Sequence, residues 1–311
     1  EGIGPIRGFA KQRDCTFMHC LELLLEAIGR NIGYDELMGV SGLAFRLQVR
    51  VDRWDVGNPD PAVGDSVLDP LFAAIGVEYE LRVVRREELA EADALRRVIS
   101  ASIDNGFPVL AANVIPPEDW GIITGYQRNG WAWTCRSYNG DARQQDRTAT
   151  GWPTAVLIIS PLKPRPAPKP EHAKSIRRAV EMFEKSAFGS YATGRNAFEH
   201  WCQMLRSADS RRHLHPNAWT YVGLIDARQA ATRYLRSIAD EFGAKKRSIL
   251  EAAAFYEQET RTLIDGLANV PSENQYSASE QSSALRAMQI STLMKAKALE
   301  ERAIQALRAA M

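Results

Sequence analysis

The chain has 311 residues, 45% of them apolar and 25% charged, an ordinary globular composition with length for one large domain or two modest ones. A formal net charge of +1 gives no electrostatic reason to expect nucleic acid or an anionic membrane as partner, and no apolar run approaches the roughly 18 residues of a membrane span. Four cysteines without CxxC spacing are too few for a disulfide scaffold, which predicts reduced thiols in a cytoplasmic protein; export stays open because a leader can have been trimmed ahead of "EGIGPIRGFAKQRD".

In chain order, "CTFMHCLELLLEAIG" has a helical apolar period and stops at Gly29, a suitable left-handed cap. "GYDELMGVSGLAFRLQVR" follows with glycines at turn positions and a strand-like end, and "VLDPLFAAIGVEYELRVV" reads as helix, glycine stop and strand. "ELAEADALRRVISASIDNG" is an amphipathic helix closed by Asn-Gly. The segments "FPVLAANVI", "WGIITGYQ" and "WAWTCRSY" predict three strands, the last two joined by the hairpin turn "RNG", and "TAVLIIS" predicts another. Helices first and antiparallel strands later is an α+β order.

The stretch 161–172, "PLKPRPAPKPEH", is a proline-rich, basic connector. It divides an α+β domain over 1–160 from a helical domain over 173–311. Helices are expected near 173–188, 197–208, 219–242 and 245–267, with "VPSENQYSASEQ" as an exposed loop before a last helix from 280 to the end. The apolar stripe of that last helix packs on its own domain or serves as a homodimer face.

Cys15 stands at the head of the first helix, with Asp14 as the expected N-cap residue. Helix N-termini favour thiolates, which makes Cys15 a candidate nucleophile, whereas Cys20 falls among Leu21, Leu24 and Leu25 and reads as core. Gln12, just upstream, is placed for its amide to donate to an oxyanion. The pairing of "DCTFMHCLELLLEAIG" with "GFPVLAANVIPPEDWGIITGYQRNGWAWTC" about a hundred residues later resembles the papain-like cysteine peptidase superfamily. The nearest look-alikes are the bacteriocin-processing peptidases and the family named after butirosin biosynthesis protein H. "YDELMGVSGLAFR", "GRNAFEHWCQML" and "LIDARQAATRYLRSIADEF" are similar to segments of the butirosin-like group. The resemblance implies a papain-like domain followed by a helical one. It also implies, for the named member's chemistry, transfer of an acyl chain from a carrier protein by way of a thiol.

The sequence departs from that pattern at one position. Where the resemblance puts the base histidine, just before "WGIITGY", stands Asp119, and no histidine occurs between His19 and His172. A carboxylate of pKa near 4 is a poor acceptor for a thiol proton, and its charge repels a thiolate. The third family position falls near Ser137 or Asn139, with no imidazole to orient. His19, one turn after Cys15, is expected to point along its own helix instead of across a cleft. His200, His213 and His215 are the candidates for a substitute base, the last two in the polar loop "RRHLHPNAW", expected to be solvated. These histidines with Cys202 lack the ligand spacing of a metal site, and nothing in the sequence calls for a cofactor.

Two functions follow. The first is binding of a peptide or small metabolite in a cleft lined by Trp120, Tyr126 and Trp133, with Trp131 and Tyr138 beside them; the competing role for these aromatics is core packing. The second is a hydrolase or acyltransferase in which Cys15 attacks a thioester or amide, with an acyl carrier protein as partner. A thioester suits a weak base better, because its thiolate leaving group needs little protonation.

Overall fold

The computed structural model describes the whole chain except residues 1–2, 5, 7–12, 85–88, 115–118, 128–129, 138–145, 161–170, 209–210 and 272–280. Gln12, Tyr138, Asn139, the first two residues of the "RNG" turn and nearly all of the proline-rich connector and of the "VPSENQYSASEQ" loop therefore lie outside the described residues. The chain is α+β and divides into two compact units, Glu1–Leu37 with Ile75–Lys169, and Met38–Ala74 with Pro170–Met311.

The first unit is built on a six-stranded antiparallel sheet of order β2-β7-β3-β4-β5-β6. Its strands are β2 (Tyr79–Val83), β3 (Val109–Ala112), β4 (Trp120–Gln127), β5 (Ala132–Arg136), β6 (Arg147–Ala149) and β7 (Ala155–Ile159). Helices α1 (Thr16–Ala27) and α4 (Leu89–Asp104) both pack on β3 and β4. Side chains alternate across a strand, which separates their two contact faces. Val109, Ala111, Ile123, Trp133 and Cys135 cluster with Leu95 and Ile99 of α4. Trp120 points the other way, and its ring meets Phe17 of α1 edge-on at 4.9 Å. Gly29 takes φ 79° just after α1, and the Arg30 amide reaches back to the Leu25 carbonyl at 2.8 Å, the left-handed stop that the glycine predicts. β4 and β5 pair antiparallel with a bulge between Ile123 and Gly125.

In the second unit, β1 (Gln48–Arg50), β9 (Tyr191–Thr193) and β8 (Ala187–Phe188) form a small antiparallel sheet. The helices are α2 (Tyr34–Ser41, its first four residues falling in the first unit), α3 (Leu68–Ile75, its last residue falling in the first unit), α5 (His172–Glu184), α6 (Gly194–Arg206), α7 (Leu214–Ile238), α8 (Lys246–Gly266) and α9 (Ser283–Ala309). Phe198, Trp201, Tyr221, Leu224, Leu263 and Leu293 sit at the centre of its core. Helix α9 packs along α8 and α6, with Leu293, Ala296, Ala303 and Leu307 buried.

Residues 38–74, which the sequence reading places in the 1–160 domain, cluster with the helical unit. The physical reason is long-range pairing: Gln48 opposes Thr193 across β1 and β9. Arg46 and Gln48 also fold the loop at 58–65 around themselves; Arg46 donates to the carbonyls of Asp60 at 2.6 Å and Asp65 at 2.9 Å, and Gln48 to that of Asn58 at 3.0 Å. A second expectation is corrected here. "RRHLHPNAW" is helical, not a loop: Arg211–His213 form a short 3-10 turn leading into α7, and His213 is 3% exposed with its ring tilted against Trp54 at 5.5 Å, whereas His215 is exposed as expected.

Candidate functional site

Cys15 is itself the N-cap residue of α1, with φ −78° and ψ 92°; the helix starts one residue later than Asp14 as cap predicts. The Cys15 carbonyl accepts the first helical hydrogen bond, from the His19 amide at 3.1 Å. Its own amide donates to the Tyr34 hydroxyl at 3.1 Å. That commitment bears on chemistry, because a nucleophile's own amide is a ready oxyanion donor at the start of a helix, and here a phenol oxygen occupies it. Cys15 is half-buried, whereas Cys20, Cys135 and Cys202 are buried.

Asp119 lies against the same helix end. Its Oδ1 accepts hydrogen bonds from the Thr16 hydroxyl and, at 2.7 Å, from the Trp120 amide. Its carbonyl accepts from the amide of Asn113 at 2.8 Å. Asn113 adopts the left-handed region, φ 62°, which asparagine tolerates better than most residues, and its side chain donates to Thr154 at 2.9 Å. The ends of the segment joining β3 to β4 are thus tied together, and its last carboxylate is tied to the first helical residue of α1. Burial, then the charges of Asp119 and Cys15, push the Cys20 thiol well above its ordinary value, so Cys20 is inert.

The cap region is held by a carboxylate the sequence reading passed over. Glu22 accepts from Arg13 at 3.0 and 3.3 Å and from the Tyr34 amide at 3.0 Å, and pairs with His19 Nδ1 at 3.0 Å. Burial alone raises a carboxyl, but the hydrogen bonds from His19, Arg13 and the Tyr34 amide, with the Arg13 charge, outweigh it and hold Glu22 at about 2. His19 is 3% exposed and turned to Glu22 along its own helix, as its spacing predicts. It is also the sole histidine in the sequence of this unit; His172, His200, His213 and His215 belong to the second.

The expected aromatic lining does not share one face. Trp120 is 5% exposed on the α1 side, and Trp133, 2% exposed, packs on the α4 side with Trp152 at 6.0 Å. Both are core side chains. Tyr126 packs at the edge of the α4-side cluster, its hydroxyl donating to Asp104 at 2.9 Å. Trp131 is exposed, with Arg96 stacked over its ring at 4.4 Å.

Among the described residues no group of three or more His, Cys, Asp or Glu side chains gathers to hold a metal ion, and no helix is long and apolar enough to cross a membrane. The roles of Thr16, Glu22 and Tyr34 had no signal in local spacing; a hydroxyl beside the cysteine and a glutamate two positions after Cys20 are ordinary helix residues until the fold supplies their partners. No protein-family model matches the chain, and no curated protein matches it in sequence.

Proposed function

We propose that the first unit is a papain-like domain with a degenerate cysteine-peptidase site, Asp119 standing where the base histidine is expected, and that it binds a peptide or small metabolite beside Cys15 instead of cleaving one. The observation that carries this reading is the commitment of Asp119. At the position where a base histidine is expected, a carboxylate accepts from the Thr16 hydroxyl and the Trp120 amide and fastens α1 to β4. Both of those donors fall on Oδ1, which is thereby occupied in holding the two elements together and is not open to a thiol proton. The Tyr34 hydroxyl on the Cys15 amide supports the same reading, since it occupies a second group that acyl chemistry would require.

One observation favours the alternative of a thiol enzyme acting on an acyl thioester. Cys15 alone among the four cysteines is not buried, and it sits at the positive end of α1. Removing a general base costs on the order of 10²–10⁴-fold, which a thioester tolerates and a peptide bond does not.

Incubation with a peptide pool and with a model acyl thioester separates the two. The binding reading predicts no turnover that Cys15→Ala abolishes, together with a rise in melting temperature when the peptide pool or a metabolite mixture is added, because ligand bound to the native state stabilises it. Peptide cleavage that depends on Cys15 would overturn it; Cys15-dependent thioester turnover alone would select the acyltransferase.

A further inference from the structure

Outside the candidate site, the most tightly sealed group of charges among the described residues lies in the second unit. Three helices each contribute one charged side chain with no exposure: Arg228 from α7, Glu259 from α8 and Glu300 from α9. Arg228 Nη2 donates to both oxygens of Glu300 at 2.7 Å, its Nε to Glu259 Oε1 at 3.2 Å, and its Nη1 to the Ala44 carbonyl at 2.8 Å. The Tyr256 ring, three residues before Glu259 on α8, lies 5.6 Å from the guanidinium. These are the titratable groups that face one another there; the turn at Leu43–Phe45 brings only the uncharged Ala44 carbonyl.

Two carboxylates share one guanidinium, so the fully ionised cluster holds an excess negative charge on side chains with no exposure to solvent. Burial of such a charge is strongly unfavourable unless it is neutralised. The two acids are not equivalent. Glu300 takes two short bonds, whereas Glu259 takes one longer bond, and its Oε2 is buried and accepts none among the described residues. A proton on Glu259 removes the excess charge, and its Oε2, which takes no donor among the described residues, is the oxygen open to it.

We infer that Glu259 holds a proton at neutral pH, so that the junction of α7, α8 and α9 is a pH-sensitive lock that loosens as that proton is lost. Burial, then the charge of Glu300, push the Glu259 carboxyl well above the ordinary carboxylate range, in keeping with the geometry. The sign follows from linkage. In the unfolded chain Glu259 loses its proton near its ordinary value of 4.5, whereas the folded chain keeps it. The folding equilibrium constant therefore falls by up to about tenfold per pH unit above that value, until the folded carboxyl titrates too.

Denaturant unfolding of the full chain across pH 5 to 9, for wild type and Glu259→Gln, reads this directly. Glutamine keeps the shape and the donor and never carries the charge. Relative to the variant, wild type is expected to lose stability progressively as pH rises. Parallel pH curves for the two proteins would overturn the inference. Difference infrared spectroscopy at neutral pH gives a readout that does not depend on unfolding: the carbonyl stretch of a protonated carboxyl should be present in wild type and missing in Glu259→Gln, and its absence from wild type would overturn the assignment.

Discussion

Two of the places where a guanidinium meets glutamate, the head of α1 and the junction of α7, α8 and α9, settle their protons in opposite ways. At the head of α1, Arg13 and Glu22 are 30% and 16% exposed, and the carboxyl is held down at about 2. At the helix junction, Arg228, Glu259 and Glu300 are wholly buried, and Glu259 is pushed up. The residue types are the same; the number of donors per carboxylate and access to water differ. Glu22 collects bonds from Arg13, His19 and the Tyr34 amide, enough to offset partial burial, whereas two acids divide one cation at the junction. Burial without enough donors favours the neutral acid, and donors without full burial favour the ion.

The largest effect is expected from Arg228→Met. Removing the cation leaves two sealed acids with a lost partner, which costs about 3–5 kcal/mol, and urea unfolding should show it as a lower midpoint. Replacing Arg228, Glu259 and Glu300 together by apolar residues of similar volume should restore most of that loss. If Arg228→Met unfolds like wild type, the junction is not the energetic centre described here.

Trp120→Ala comes next. It empties an indole-sized space between β4 and Phe17 of α1, for a loss of about 3–5 kcal/mol at a site unable to collapse and less where Phe17 moves in. Thermal unfolding measures it. Retained stability with altered ligand affinity would instead return Trp120 to a cleft wall.

Glu22→Gln should cost roughly 2 kcal/mol at neutral pH, discounted for solvent screening of a half-buried group. Because the folded carboxyl lies below its ordinary value of 4.5, its contribution is complete above that value and disappears as pH falls toward about 2. Wild type and Glu22→Gln should therefore converge in acid, the opposite direction to the Glu259 pair; unfolding midpoints from pH 2 to 7 test this. The smallest effect is Tyr34→Phe, about 1 kcal/mol for one hydrogen bond, read most sharply as faster hydrogen exchange of the Cys15 amide.

Much of the fold was legible because it is local. The period of "CTFMHCLELLLEAIG" with Gly29 behind it, the paired strands "WGIITGYQ" and "WAWTCRSY", and the helices after the connector all depend on neighbours within a turn or a hairpin. The assignment of residues 38–74 to the helical unit was not legible, because β1 at Gln48–Arg50 finds its partner β9 only at Tyr191–Thr193, beyond the connector. The faces of Trp120 and Trp133 were lost for a similar reason: alternation fixes the face within one strand, but only pairing and register relate two strands. Cys15 and Asp119 were legible as neighbours through the order of their segments. The hydroxyls of Thr16 and Tyr34 that define what those two can do were not, since neither has a spacing that announces its partner.

The account turns on whether Cys15 is an activated nucleophile. Its rate of alkylation by iodoacetamide, followed by mass spectrometry across pH 5 to 10 with Cys15→Ala as control, answers this with little interference from three buried cysteines. With Asp119 bound to Thr16 and the Tyr34 hydroxyl on the Cys15 amide, the rate should rise with a midpoint at or above about 8.5, the value of an ordinary thiol. A midpoint well below 8 would contradict the account and make this site an enzyme's.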